Sequence, residues 1–532
     1  MKKWSFLLLL IPLMLTMCGR KKVVKIARDV SITPKNAVTR LAVDSLQMED
    51  YIGQAKLGDS AAQYLRNFYN SRNFQFAWIT EKGLTEQARM FYMLNKDYAS
   101  HFRDSTMLDP QLYQKMDFLM KQDTIFRRPD TSLVRLDLEL TQHFFNYVRT
   151  AYEGKVDPEV LQWHIPRKKL NTAALLDSLM SGKKTAAEDW EPVNREYKWM
   201  KKKLGSYYQL QKEGKFDDIS TGKAGVYRVG DSALTVQQVR LRLIQFGDST
   251  LKDSSSVFDS TLRAAVKRAQ SQYGMSQSGT INRELIKALN VPLEQRIKQI
   301  LINMERMRWM PEMPDGRYLL ANIPEYRLHV FEDHKTVLNM GIVVGKAANK
   351  TVIFSNKMRN IVFSPYWNIP ASIIRAEVLP AMKRNRNYLA SKNMEQTGFS
   401  NGLPAVRQKP GDNNSLGRVK FLFPNSYDIY FHDTPSKSLF AQEKRAFSHG
   451  CIRLSQPAAL AEYLLDGKSG WTKEKIAKAM SGKKEVWVAL SSPVPVFITY
   501  FTSWVDEDGL LNFRDDVYGH DRKMAEQLFD KS

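Results

Sequence analysis

Cysteine is nearly missing from this chain of 532 residues: there are two, Cys18 and Cys451, and only eight histidines beside them. A pair this sparse rules out a disulfide framework, and no Cys and His fall at zinc-finger spacing. Cys18 lies in a leader-like segment, so Cys451 has no partner left for an internal disulfide. Long apolar runs are scarce too. The run from Trp4 to Met17 is too short for a comfortable membrane-spanning helix. Acidic residues are outnumbered, 56 against 79 Lys and Arg, for a formal charge of +23. That excess suggests an acidic partner such as carboxylate-rich wall polymer or anionic lipid headgroups, or simply a solvated basic surface. No RNP-like motif accompanies it and the cations are spread out, so nucleic acid is not expected. Hydrophobic content of 43% and charged content of 25% exclude general disorder, and the length calls for several domains.

Lys2 and Lys3 before the apolar run read as a signal peptide over residues 1–17. Its end, Leu15-Thr-Met-Cys18, resembles a bacterial lipobox with Cys18 as the lipidated residue, although Met17 stands where a small residue is usual. Ordinary secretion or an uncleaved anchor is the alternative. Residues 18–44 read as a tether. From 45 to 225 apolar residues recur at helical steps, as at Leu84, Ala88, Phe91 and Leu94, or Leu133, Leu136, Leu140, Phe144 and Tyr147. That stretch reads as a helical scaffold in which His101, His143 and His164 are structural or surface residues. Residues 226–291 read as a compact three-helix unit, with Asp259 before its middle helix and Gly274 as a stop. A helix from Leu293 to Met307, ending in an Arg-Trp linker, leads into many short strands, which predict a β-sandwich or barrel-like domain over 292–532. Ile373 to about Lys392 reads as helix and Gly398 to Leu416 as a Gly-rich loop, together an insertion (about 373–418) suited to a lid. His329 and His334 lack a carboxylate or second histidine at ligand spacing, so neither metal nor cofactor is implied.

The chemistry concentrates between Tyr430 and Leu454. Asp428-Ile-Tyr-Phe-His432 alternates as a strand, with Tyr430 and His432 on one face. Cys451 follows His432 by 19 positions (451 − 432), enough for a return that brings thiol and imidazole together. Gly450 relieves crowding, turn N–H groups can stabilise an oxyanion, and His449 orients the loop. Ser455 is expected to cap a following helix, whose N-terminus with Arg453 would favour the thiolate. A buried structural cysteine is the plain alternative, and Ser-His-Gly before it with Ile-Arg after it is a poor apolar context.

Ser448-His-Gly-Cys-Ile-Arg453 with upstream His432, joined by Pro365-Tyr-Trp-Asn-Ile-Pro370 and Ile429-Tyr-Phe-His-Asp-Thr-Pro435, resembles the L,D-transpeptidase catalytic domain. The three-helix unit resembles the peptidoglycan-binding domain-1 family, and the order of parts resembles the large multidomain L,D-transpeptidases of Gram-negative bacteria. The resemblance implies a multidomain α+β protein with Cys451 as nucleophile and His432 as base. It implies supporting roles for Ser448, His449, Gly450 and Arg453, substrate contacts from Tyr430 and Trp367, and a backbone carbonyl after His432 as orienting group. The implied substrate is the peptidoglycan stem peptide, with cross-linking, hydrolysis, D-amino-acid exchange or protein anchoring as outcomes. An inactive wall-binding lipoprotein is a reading of a different class; the intact His432 and Cys451 argue against it. Cell-wall cysteine peptidases usually place Cys before His, the reverse of this order. The leader makes a direct prediction: Cys18→Ser should release the protein from the membrane to the soluble fraction, and unchanged fractionation would refute lipidation.

Overall fold

The computed structural model describes residues 25–529 except 34, 36, 38, 104–106, 122–124, 169, 181–190, 192 and 215, so the leader and Cys18 lie outside it. None of the described helices is long and apolar enough to cross a membrane. The chain divides into two compact units, one of Met1–Val148 with Asn171–Glu191 and one of Arg149–Leu170 with Pro192–Ser532.

The first unit is helical, as the periodicity requires. The helix Thr131–Val148 buries Leu133, Leu136, Leu140, Phe144 and Tyr147 along one stripe. Leu84 falls outside the next predicted helix, which runs over Glu86–Phe102, because the Thr85 side chain caps it by accepting from the Ala88 N–H. Trp78, Phe91 and Phe144 meet at ring distances of 5.2–5.8 Å. Asp137 is buried among them and accepts from the Tyr69 hydroxyl at 2.7 Å and the Trp78 N–H at 2.8 Å. Burial still pushes its carboxyl up to about 6.

In the second unit, helices Leu234–Gln245, Ser260–Gln272 and Arg283–Leu289 enclose a small core around Val236, Val239, Leu262, Val266 and Leu285. Asp259 caps the middle helix and Gly274 follows its end with φ +71°. The helix Leu293–Trp309 comes next. It is not a linker: Asn303, Glu305, Arg306, Arg308 and Trp309 are all buried. Arg306 pairs with Asp521 at 2.6 Å, and Asn303 accepts from the Thr502 N–H at 2.9 Å. Arg308 pairs with Glu305, whose carboxylate also accepts the N–H groups of Lys155 and Val156.

The strands that follow are β1 (Tyr318–Asn322), β2 (Arg327–Glu332), β3 (Lys335–Gly345), β4 (Ile353–Phe363), β5 (Val419–Leu422), β6 (Phe431–His432), β7 (Ile452–Leu454) and β8 (Val486–Thr499). Their order is β5-β6-β7-β3-β2-β1-β8-β4, and β4 pairs again with β5, so the sheet closes on itself. The barrel-like expectation is realised. β1–β8 and β6–β7 pair in parallel. The insertion departs from its reading. Its first part is four short pieces, Ala371–Ile373, Ile374–Val378, Leu379–Arg384 and Tyr388–Ser391. Its Gly-rich part is a hairpin, Met394–Ser400 with Leu403–Gln408, which adds Trp367–Asn368 as a third strand and packs on Ile369, Ile374 and Val378. Polar residues on the hairpin's exposed face hid the alternation. Asn414, buried, closes the segment by donating to the Pro365 and Lys409 carbonyls at 3.0 and 2.9 Å.

His329 and His334 do have carboxylates, Glu325 at 3.0 Å and Asp315 at 3.1 Å, brought to them by a turn and a strand end. Against the effect of burial, Glu325 raises the His329 imidazole above its usual value. Removing the anion of a buried pair strands its cation, so Glu305→Ala should destabilise the second unit by about 3–5 kcal/mol. A drop in its thermal unfolding midpoint, with Glu305→Gln intermediate, is the expected readout.

Candidate active site

β6 is only two residues long. Asp428 turns the chain with φ +54°, so the strand expected to begin there starts at Phe431. β7 runs parallel to it with Phe431 opposite Ile452 and His432 opposite Arg453. Phe431, Ile452 and Leu454 point into the core and are fully buried. By alternation Tyr430, His432, Cys451 and Arg453 share the other face. The rings of Tyr430 and His432 lie 5.7 Å apart.

His432 is 4% exposed, and its Nδ1–H donates to the Asp433 carbonyl at 2.5 Å. This bond fixes the tautomer and leaves the Nε2 lone pair free to accept a proton. Asp433 is itself held from several sides. Its N–H donates to the Val419 carbonyl at 2.9 Å, and its carboxylate accepts from the Arg418 N–H at 2.8 Å and pairs with Lys437. Gly417, at φ +62°, makes this possible, since a Cβ there would stand 2.4 Å from the Asp433 carboxylate. Burial first, and then the Arg453 charge, hold the His432 imidazole down at about 4.

Cys451 is half-buried, and its thiol donates to the Asp428 carbonyl at 3.4 Å. Burial pushes the thiol up to about 11, although the Tyr430 N–H and hydroxyl both favour the anion. The expectation of a resting thiolate is corrected on two counts. Ser455 does not cap the following helix: Gln456 occupies the N-cap of Pro457–Leu465 with no side-chain bond, and β7 stands between that helix and Cys451. Arg453 is itself partly desolvated, its Nε buried without a partner, and its pull on the thiol is the smaller effect. Burial and the nearby sulfur push the Tyr430 phenol up as well.

Ser448, buried, ties the turn together: its hydroxyl donates to the Cys451 carbonyl at 2.6 Å and accepts from the Gly450 N–H at 3.1 Å. Gly450 takes φ +122°, which a side chain would strain. Its carbonyl accepts from the Thr351 hydroxyl at 2.7 Å. His449 turns outward to Glu377 of the insertion, with Nε2 at 3.0 Å from the carboxylate. Trp367 belongs to the insertion's small sheet opposite Gln408, rather than to the His432 face. Sequence reasoning missed Thr351, Glu377 and the Asp428 carbonyl. Thr351 and Glu377 stand far from the motif in the chain and only the fold brings them in, whereas Asp428 lies beside it but acts through its backbone carbonyl, which carries no side-chain signal.

A closed mixed sheet that holds a histidine and a cysteine on one face of adjoining short strands belongs to the class of thiol-bearing sites. Residues 316–482 match the family described as "L,D-transpeptidase catalytic domain", 232–289 match "Putative peptidoglycan binding domain" and 63–204 match "Scaffold domain". The catalytic-domain match covers 316–482, the stretch that holds the closed sheet, His432 and Cys451. It is similar to a "Putative L,D-transpeptidase" of Haemophilus influenzae, at 32% identity over 243 residues, 43% of this chain and 49% of the relative. The chain thus spans about half the length of that curated relative. Among solved structures, an L,D-transpeptidase from Mycobacterium smegmatis overlaps at TM-score 0.20 and 14% identity, over 36% of this chain and 61% of that one. One from Stackebrandtia nassauensis overlaps at TM-score 0.22 and 14% identity, over 51% and 94%.

With a thiol held near 11 and an imidazole near 4, both groups rest neutral around pH 7. Alkylation of Cys451 by iodoacetamide should therefore climb steadily through pH 9 and above. A rate already level from about pH 5 to 8 would mean a resting ion pair instead.

Proposed function

We propose that the protein is a cysteine-dependent L,D-transpeptidase of the cell envelope, acting on peptidoglycan tetrapeptide stems and anchored to a membrane through lipidated Cys18. The observation that carries this reading is the β6–β7 register, which sets His432, Tyr430, Cys451 and Arg453 on one face. A peptidoglycan binding domain in the same chain supports the substrate class.

In this mechanism the sulfur of Cys451 attacks the carbonyl of the amide between the L-centre of meso-diaminopimelate and terminal D-Ala. The resting pair is neutral, so the thiol proton passes to His432 Nε2 as the S–C bond forms. The Gly450 N–H is occupied by Ser448 and the Ile452 N–H by the Tyr430 carbonyl, so Cys451's own N–H is the turn donor assigned to the oxyanion. When the C–N bond breaks, the imidazolium returns its proton to the departing nitrogen. D-Ala leaves and a thioester remains. An acceptor amine then adds to the thioester, gives a proton to His432 and expels the sulfur, which regains that proton. A diaminopimelate amine as acceptor yields the cross-link; water, a free D-amino acid or a protein amine would yield hydrolysis, exchange or anchoring. Ser448 and Gly450 shape the turn, His449 orients it, and Trp367 and Tyr430 contact the stem.

A carbapenem offers a strained carbonyl to the same thiol and should leave a stable adduct, seen as a shift in intact mass. Cys451→Ala should abolish the adduct and His432→Gln should slow its formation by about 10²–10⁴. An adduct that persists in Cys451→Ala, or a rate that depends on His449 but not on His432, would reassign the roles.

A further inference from the structure

His432 lies in a row that crosses the barrel wall. Trp487 on β8 stands opposite Val362 on β4, Val362 opposite Lys420 on β5, Lys420 opposite His432 on β6, and His432 opposite Arg453 on β7. Directly paired residues project from the same face of a sheet. One strand spacing, about 4.8 Å, therefore separates the His432 backbone from a lysine on one side and an arginine on the other.

Both cations are incompletely compensated, although the Lys420 ammonium also lies 5.6 Å from the centre of the Trp487 ring. The Lys420 side chain is 13% exposed, and its ammonium reaches the Tyr366 carbonyl only at 3.4 Å and the Glu485 carboxylate only at 3.5 Å. Charge-assisted bonds are normally about 2.7–2.9 Å. Arg453 keeps a buried Nε with no partner. Burial disfavours the charged form of each. Two partly desolvated cations flanking a neutral imidazole cost free energy unless an anion joins them.

We propose that Lys420 and Arg453 form a carboxylate subsite around His432, which binds the α-carboxylate of the amino acid that departs as the thioester forms. The inference rests on the transpeptidase reading above. The departing nitrogen must come within hydrogen-bond reach of His432 to receive its proton. In an α-amino acid the carboxylate carbon is two bonds from that nitrogen, so the anion falls within one strand spacing of His432, over the two cations. As sulfur bonds to the acyl carbon, the C–N bond breaks, the imidazolium proton goes to nitrogen, and the carboxylate leaves with the free amino acid, its charge unchanged. Lys420 is thus a specificity residue. It selects a donor with a free terminal carboxylate and holds the leaving nitrogen at the base.

The test compares two donors with the full chain: a tetrapeptide stem ending in meso-diaminopimelate–D-Ala, and the same peptide with its terminus amidated. Thioester formation on Cys451 is followed by mass. The unmodified protein should favour the free acid in kcat/KM by about 10- to 100-fold, the range for a charge-assisted hydrogen bond. Lys420→Met, which keeps the aliphatic stem, should lower that preference at least about fivefold, and Lys420→Arg should restore it. A full preference retained in Lys420→Met, or none in the unmodified protein, overturns the subsite while leaving the transpeptidase reading standing. Thioester from neither peptide in the unmodified protein overturns that reading and the subsite with it.

Discussion

The two-residue parallel pairing of β6 and β7 is the contact on which the site depends. Parallel strands cannot be joined by a tight hairpin. The chain between them runs through the 3₁₀ turn Lys437–Ala441 and the short strand Ala446–Ser448, which itself pairs with β3. Such a short ladder has little strength of its own. It is held by what lies beneath: Phe431, Ile452 and Leu454 are fully buried, and each such side chain contributes about 1.5–3 kcal/mol by leaving water. The inward residues secure the register, and alternation then delivers His432, Cys451 and Arg453 to the outer face. A slip by one residue would send the thiol and the imidazole to opposite faces.

The same burial that fixes the register sets the electrostatics. A low dielectric favours neutral forms, and here it outweighs the nearby guanidinium for the thiol and acts together with it on the imidazole. Two neutral partners do not need an ion pair to be ready. The His432 imidazole is already deprotonated and its tautomer is held by the Asp433 carbonyl, so in the proposed reaction charge develops only as sulfur attacks.

Much of this was legible in the sequence, for particular reasons. Helical spacing identified the stripe of Thr131–Val148, because a buried face repeats with the helix period. The motif from Ser448 to Arg453 and the upstream His432 pointed to the candidate site, because a lone thiol beside polar residues has few structural explanations. What escaped was set by distant partners. Arg306 and Arg308 read as a linker's charges, yet Asp521 and Glu305 let them be buried. The 398–416 stretch read as loop because a two-faced hairpin rich in Gly and Asn shows no apolar alternation. The thiolate expectation failed because Ser455 and the helix N-terminus were assigned from local order alone, and neither depth of burial nor the intervening strand β7 can be seen in a motif.

The insertion shows how differently two contacts can hold one segment. At its base Asn414 is buried and donates to two carbonyls, which makes that end expensive to move, since each bond left unmade in the interior costs about 1–3 kcal/mol. At the other end Glu377 meets His449 with both side chains about half exposed, a contact that water can replace for well under about 1 kcal/mol. The turn that carries Cys451 therefore does not rely on the insertion for its shape. Ser448, Gly450 and Thr351 hold it from within the barrel domain, through the bonds to the Cys451 and Gly450 carbonyls. The Glu377 contact can thus be displaced without disturbing Cys451, because the two are secured by separate sets of hydrogen bonds.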